Sequence, residues 1–188
     1  PRERDYNIHE VLVDNDAQQY KETEGKEKWQ TASKPGFANP KEFYVDGENP
    51  FTMGTARETK TIRKGDLSLA QWNIEVPQKS TYAVYVSYQS HKNSADDAHY
   101  TVYHNGGKTE FLVNQQVGGG TWIFLGNFEF DNNAEHKVVL SNKSSHNGRL
   151  VSADAIKVGG GIGNIARMPL ADGFEKENVK SSETNTDN

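Results

Sequence analysis

His99-Tyr100-Thr101-Val102-Tyr103-His104-Asn105-Gly106-Gly107-Lys108-Thr109-Glu110-Phe111-Leu112-Val113 is the stretch that decides the fold. Tyr100 and Val102 alternate with polar neighbours before Asn105-Gly106, and Phe111 and Val113 follow it. Asn-Gly suits a turn that needs positive φ, and flanked by two alternating runs it is the strongest local signal for a β-hairpin. The same period of two extends outward in both directions. Upstream, Tyr82, Val84, Val86 and Tyr88 alternate with Ala83, Tyr85 and Ser87. Before them, Leu67 and Leu69 give way, after a change of register, to Trp72, Ile74 and Val76, and Pro77 closes the run. Downstream come Trp122, Phe124, Phe128 and Phe130 with Gly126 at the same parity, then Val138 and Leu140, then Leu150 to Val158. Turn residues recur about every 8 to 12 positions, which is the sequence form of an antiparallel β-sandwich. No region carries a 3.6-residue period and no fixed-length repeat is present.

The flanks read differently. Residues 21–60 are rich in Lys, Glu, Gly, Pro and Asn, and Pro35, Pro40 and Pro50 interrupt each helical window, so short strands and long loops are expected there. Gly159-Gly160-Gly161-Ile162-Gly163 forms a flexible exit, and the tail from Asp172 to Asn188 is mostly polar. The expected organisation is a flank at 1–10, a β-sandwich domain at 11–158 and a linker or tail at 159–188. The start at Pro1 without a Met fits a segment cut from a longer protein.

Composition excludes several functions. A formal net charge of −5 disfavours a phosphate-backbone binder, so no nucleic-acid partner is expected. No apolar run approaches the roughly 18 to 20 residues that span a bilayer. With 0 cysteines there are no disulfides, no thiol catalysis and no Cys-ligated metal. The six histidines make no HExxH and no close pair on a helix face. Gly161-Ile162-Gly163-Asn164-Ile165-Ala166 fits a dinucleotide fingerprint in letters. The chemistry needs a helix N-terminus behind the glycines, whereas Pro169 follows and antiparallel hairpins precede. No G-x-S-x-G or other nucleophile with a base is visible, so the segment itself is not expected to be an enzyme.

Candidate binding residues remain. Flat aromatic rings pack against the C–H faces of sugars while amides and carboxylates meet the hydroxyls. Trp122 and Trp72 share parity with core residues and are read as core. Trp29, Tyr44 and Tyr103 are less constrained and are the candidate carbohydrate-binding platform. Asp14-Asn15-Asp16 and Asp96-Asp97 supply hard oxygens, so Asp14, Asp16, Asp96 and Asp97 are the candidate ligands of a calcium ion. Asp154 shares a face with Ile156 and Val158, where a carboxylate must accept hydrogen bonds or coordinate something. Asn142-Lys143-Ser144 matches the N-x-S glycosylation rule.

Several elements together resemble a known family. Val113-Asn114-Gln115-Gln116, Gly119-Gly120-Thr121-Trp122, Leu125-Gly126-Asn127-Phe128 and Ala153-Asp154-Ala155-Ile156 are similar to the golvesin C-terminal-like domain. This is the carbohydrate-binding-like domain attached to bacterial xanthan lyase-type proteins. Val13-Asp14-Asn15-Asp16 with Trp29, Ala70-Gln71-Trp72 and Tyr82-Ala83-Val84-Tyr85-Val86 agree with it. Read physically, these elements are structural: Trp122 fills the core and Gly126 permits a bulge or close approach. The resemblance implies a jelly-roll-like, galactose-binding-like sandwich. It also implies a non-catalytic accessory role in a larger secreted, periplasmic or cell-surface bacterial enzyme. The implied partners are a polysaccharide or cell-wall glycan and the parent catalytic domain. The alternative is a structural domain that packs on its parent and binds no sugar.

Overall fold

A computed structural model of the chain describes residues 10–39 and 49–159. Its strands in chain order are β1 (Val11–Val13), β2 (Tyr20–Thr23), β3 (Gln30–Thr31), β4 (Arg57–Lys60), β5 (Leu69–Ile74) and β6 (Ser80–Val86). They continue as β7 (Ala98–His104), β8 (Gly107–Val113), β9 (Ile123–Phe130), β10 (His136–Ser141), β11 (Leu150–Ala153) and β12 (Ile156–Val158). Twelve strands stand among the described residues, and several, such as β3 and β12, are only two or three residues long. The sole helical turn described is a 3-10 turn at Pro50–Thr52.

The architecture is an all-β, jelly-roll-like antiparallel sandwich. One sheet has the order β1-β12-β6-β9, the second β2-β5-β10-β7-β8, and a small third sheet β11-β4-β3. All of the named strand pairs are antiparallel. The β7–β8 hairpin turns at Asn105-Gly106, where Gly106 takes φ 85°, the backbone that an Asn-Gly turn requires.

The core follows from the period of two. Inward residues of the first sheet (Val13, Tyr82, Val84, Val86, Phe128, Phe130, Ile156, Val158) pack on those of the second (Ala70, Trp72, Ile74, Tyr100, Val102, Phe111, Val138, Leu140). Phe111 meets Phe128 edge-on across the layers, ring centroids 6.0 Å apart. Polar groups caught inside are bonded. Gln115, fully buried, donates to Tyr100 Oη at 2.9 Å and to the Ser152 carbonyl at 3.0 Å, and accepts from Ser152 N–H at 2.8 Å.

β9 departs from strict alternation. The register against β6 shifts between Val84 and Tyr85, so Val84 opposes Gly126 while Tyr85 opposes Phe124. Leu125 is the extra residue of a bulge, and Gly126 takes φ 159°. Ile123 before the bulge, Leu125 within it, and Phe128 and Phe130 after it are the buried positions. The expectation that Trp122 fills the core is thereby corrected. The bulge breaks the parity between Trp122 and Phe128, and Trp122 and Phe124 lie half-buried on the outer side.

A glycine pair locks the loop before the 3-10 turn. Gly36 and Gly54 form an isolated antiparallel bridge with both hydrogen bonds at 2.9 Å. A Cβ on Gly54 would overlap the Phe37 carbonyl, and one on Gly36 the Thr55 carbonyl. Gly54→Ala is expected to cost about 1–3 kcal/mol, since backbone rather than a flexible side chain must give way. Urea titration checks this, and an unchanged midpoint would show that the bridge is not tight.

Candidate functional site

The outer face of the five-stranded sheet carries the candidate site. Its residues come from alternate positions that period two turns away from the core. Register places Asn73 on β5, Lys137 on β10 and Tyr103 on β7 in one row across the sheet. Lys21, Gln71, Val139 and Thr101 form the next row. The β9–β10 turn, Asn132 to Glu135, walls one end and encloses a groove of about 720 Å³.

Within it, Gln71 Nε2 donates to Asn73 Oδ1 at 2.7 Å. Lys137 Nζ lies 5.1 Å from the Tyr103 ring centroid, a cation–π contact. Farther along the same face, His99 Nε2 sits 3.2 Å from Glu110 Oε1. The groove therefore offers the half-buried Tyr103 ring, four amides (Gln71, Asn73, Asn132 and Asn133), the carboxylates of Glu75 and Glu135, and the ammonium groups of Lys21 and Lys137. Such a set can exchange hydrogen bonds with hydroxyls, and Lys137 already lies over the Tyr103 ring.

Of the three aromatic candidates, the structure places Tyr103 in the groove. Trp29 is corrected: it belongs to the hydrophobic core at 5 % exposure and has no ring face to offer a sugar. Tyr44 lies outside the described residues, as does the Gly161–Ala166 run. Gln71, Asn73 and Lys137 were not singled out from the sequence. They meet only because β5, β10 and β7, distant in the chain, become neighbours, and no local signal announces that.

The acidic candidates divide. Asp96 pairs with Arg149, Oδ1 to Nη1 3.2 Å. Asp97 accepts from Ser144 Oγ at 2.6 Å, Ser145 N–H at 2.8 Å and Ser145 Oγ at 2.9 Å. Partial burial raises the Asp97 pKa, but these bonds outweigh it and hold the carboxyl below its usual value. Both side chains therefore serve the fold. Asp14 is buried while Asp16 is exposed. Burial pushes Asp14 up to about 8, against the bond from Asn15 N–H, with the charges of Asp154 and Asp16 adding to the rise. Asp154, fully buried, accepts from Phe37 N–H at 3.0 and 3.1 Å and from Gln89 Nε2 at 3.4 Å. Burial still lifts it to about 7. Among the described residues, no group of three or more His, Cys, Asp or Glu is arranged to hold a metal ion. The N-x-S asparagine is structural: Asn142 is fully buried, accepts from Ser68 N–H at 2.8 Å and donates to the Lys60 carbonyl at 2.9 Å.

The model of a family described as the Golvesin C-terminal domain matches residues 11–160. A xanthan lyase of Bacillus sp. (strain GL1) is 34% identical over 84 residues, covering 44% of this chain and 9% of that protein. The solved structure of a Paenibacillus xanthan lyase superposes with TM-score 0.62 at 25% identity, over 79% of this chain and 13% of that one. A family 11 carbohydrate-binding module from Clostridium thermocellum, solved with a mixed-linked tetrasaccharide, gives TM-score 0.44 at 10% identity over 84% of this chain and 98% of that one. The chain thus spans about a tenth of the length of the xanthan lyases it matches.

Proposed function

The chain belongs to the Golvesin C-terminal domain family, and from that premise we propose that it is a non-catalytic carbohydrate-binding accessory domain of a larger exported bacterial enzyme acting on polysaccharide or cell-wall glycan. The observation that carries this reading is the groove on the five-stranded sheet, where Tyr103 stands in one row with Lys137 and Asn73. The similarity to xanthan lyases supports a polysaccharide-acting parent. An accessory domain of this kind holds its parent near a polymer and raises the local concentration of substrate.

Isothermal titration calorimetry of the 188-residue chain against xanthan, peptidoglycan and mixed-linkage glucan tests it. Saturable binding to at least one is expected, and Tyr103→Ala should weaken it about tenfold, ~1.4 kcal/mol. Equal affinities for the two proteins would remove Tyr103 from the site, and silence across the panel would remove the reading. The competing reading is a domain that packs on its parent without binding sugar. It predicts that covalent attachment to the parent enzyme raises the melting temperature of this domain without any glycan present.

A further inference from the structure

The other outer face of the sandwich holds a largely buried cation seated on aromatic rings. Lys157 sits at the outward position of β12, between Leu12 of β1 and Tyr85 of β6, with Phe124 beyond Tyr85. It is 5% exposed. Its Nζ lies 4.3 Å from the centroid of the Tyr85 ring and 5.3 Å from that of Trp122. Those rings are fixed in turn. Trp122 packs edge-on against Phe37 and Phe51 at 5.0 and 5.4 Å, and Tyr85 leans on Phe124 at 5.5 Å.

None of the ion pairs among the described residues includes Lys157. Burial pushes the ammonium's pKa down, against the opposing charge of Glu10. A buried charge normally finds a carboxylate or a set of acceptors. Two aromatic faces offset part of the cost of desolvation but accept none of the three N–H bonds in the manner of an oxygen. The rim of this cradle reaches solvent, since Phe51, Trp122 and Phe124 are only half-buried.

We propose that Lys157, with the Trp122 ring beside it, is a second saccharide subsite selective for a sugar bearing a carboxylate. The ammonium would pair with the carboxylate in a poorly hydrated setting, where the attraction is strong. The flat indole would take the apolar C–H face of the same sugar. That double demand separates an acidic saccharide from a bare anion, which has no use for the ring, and from a neutral sugar, which has no use for the charge. This inference rests on the carbohydrate-binding reading but concerns the face opposite the Tyr103 groove.

Trigalacturonate and cellotriose, of equal length but one anionic and the other neutral, are the probes, titrated into the full chain and into Lys157→Met, Lys157→Arg and Tyr103→Ala. Lys157→Met keeps the stem and removes the charge. It should lose about tenfold or more in trigalacturonate affinity and leave cellotriose unchanged, while Lys157→Arg restores the acidic ligand. Trigalacturonate should also shift the nuclear magnetic resonance signals of the Trp122 indole N–H and the Lys157 ε-methylene in the unsubstituted protein, a readout independent of any variant's folding. Equal trigalacturonate affinity in Lys157→Met with unmoved Trp122 and Lys157 signals would overturn the subsite and leave the groove standing. Loss confined to Tyr103→Ala would do the same. Absence of binding by both probes and by the polysaccharide panel would overturn the subsite together with the carbohydrate reading.

Discussion

Trp72→Ala is expected to destabilise the domain by about 3–5 kcal/mol, the range for truncating a large buried aromatic. Trp72 is fully buried at the middle of β5. Register places Tyr20 of β2 on one side and Val138 of β10 on the other. The Tyr20 ring leans on it at 5.5 Å between centroids. Its Nε1 donates to the carbonyl of Asp154 at 3.2 Å, which joins the five-stranded sheet to the link between β11 and β12. The alanine variant loses the packing, opens a cavity and leaves a buried carbonyl without that donor. For a domain whose total stability is of order 5–15 kcal/mol, such a loss can unfold a sizeable fraction at 37 °C. Urea denaturation followed by circular dichroism measures it. Trp72→Phe should recover more than half of the loss, because ring packing returns and only the hydrogen bond stays missing. A loss below about 1 kcal/mol in the alanine variant would mean that Trp72 does not occupy the centre of the core.

The second large effect is on the pH dependence of stability. Asp14 and Asp154 both titrate high in the folded protein, at about 8 and about 7, against an ordinary value of 3.8. In each, burial is the main cause. Below pH 4 both carboxyls are protonated folded or unfolded, and they cost nothing. As pH rises past 4 the unfolded chain releases these protons while the folded one keeps them, so the folded state binds more protons and loses stability with rising pH. The loss ends once pH passes about 8, where both forms are ionised. Between pH 5 and 8 the melting temperature should therefore fall, and Asp14→Asn should flatten the fall because the amide never ionises. Asp154→Asn should act the same way, with its Oδ1 still able to accept from Phe37 N–H. Scanning calorimetry from pH 5 to 9 checks this. Parallel curves for the three proteins would show that neither carboxyl is held protonated.

The layered all-β architecture was legible because its signals are local. Asn105-Gly106 turns the hairpin, and the inward identities of Trp72, Ile74, Tyr82, Val84, Val86, Tyr100, Val102, Phe111 and Val113 follow from alternation alone. Gly126 was readable as a place for a bulge, but its effect on the neighbours was not. One inserted residue exchanges the two faces of a strand, so Trp122 and Phe124, in phase with Phe128 on paper, stand on the opposite side in space. Trp29 misled for the converse reason. It lies in a polar stretch without period, and only the tertiary fold draws its ring into the core. The groove depends on β5, β10 and β7 becoming neighbours across long chain separations, so Gln71, Asn73 and Lys137 looked like ordinary solvated positions. Tyr103 was reachable because a tyrosine at an outward strand position is conspicuous by itself.

The pairing of β1 with β12 bears on how the domain responds to mechanical load. Val11, where the first strand begins, lies opposite Val158, where the last strand ends. A pull applied through the chain on both sides would act on one end of a ladder that is only three residue pairs long. Tension then peels the ladder rung by rung instead of shearing all the rungs together. Under such a load the domain would yield first at this seam, with the β6–β9 and β7–β8 pairings behind it left intact. The same geometry lets the chain leave beside the point where it enters, so the module can sit within a longer polypeptide without forcing its neighbours apart.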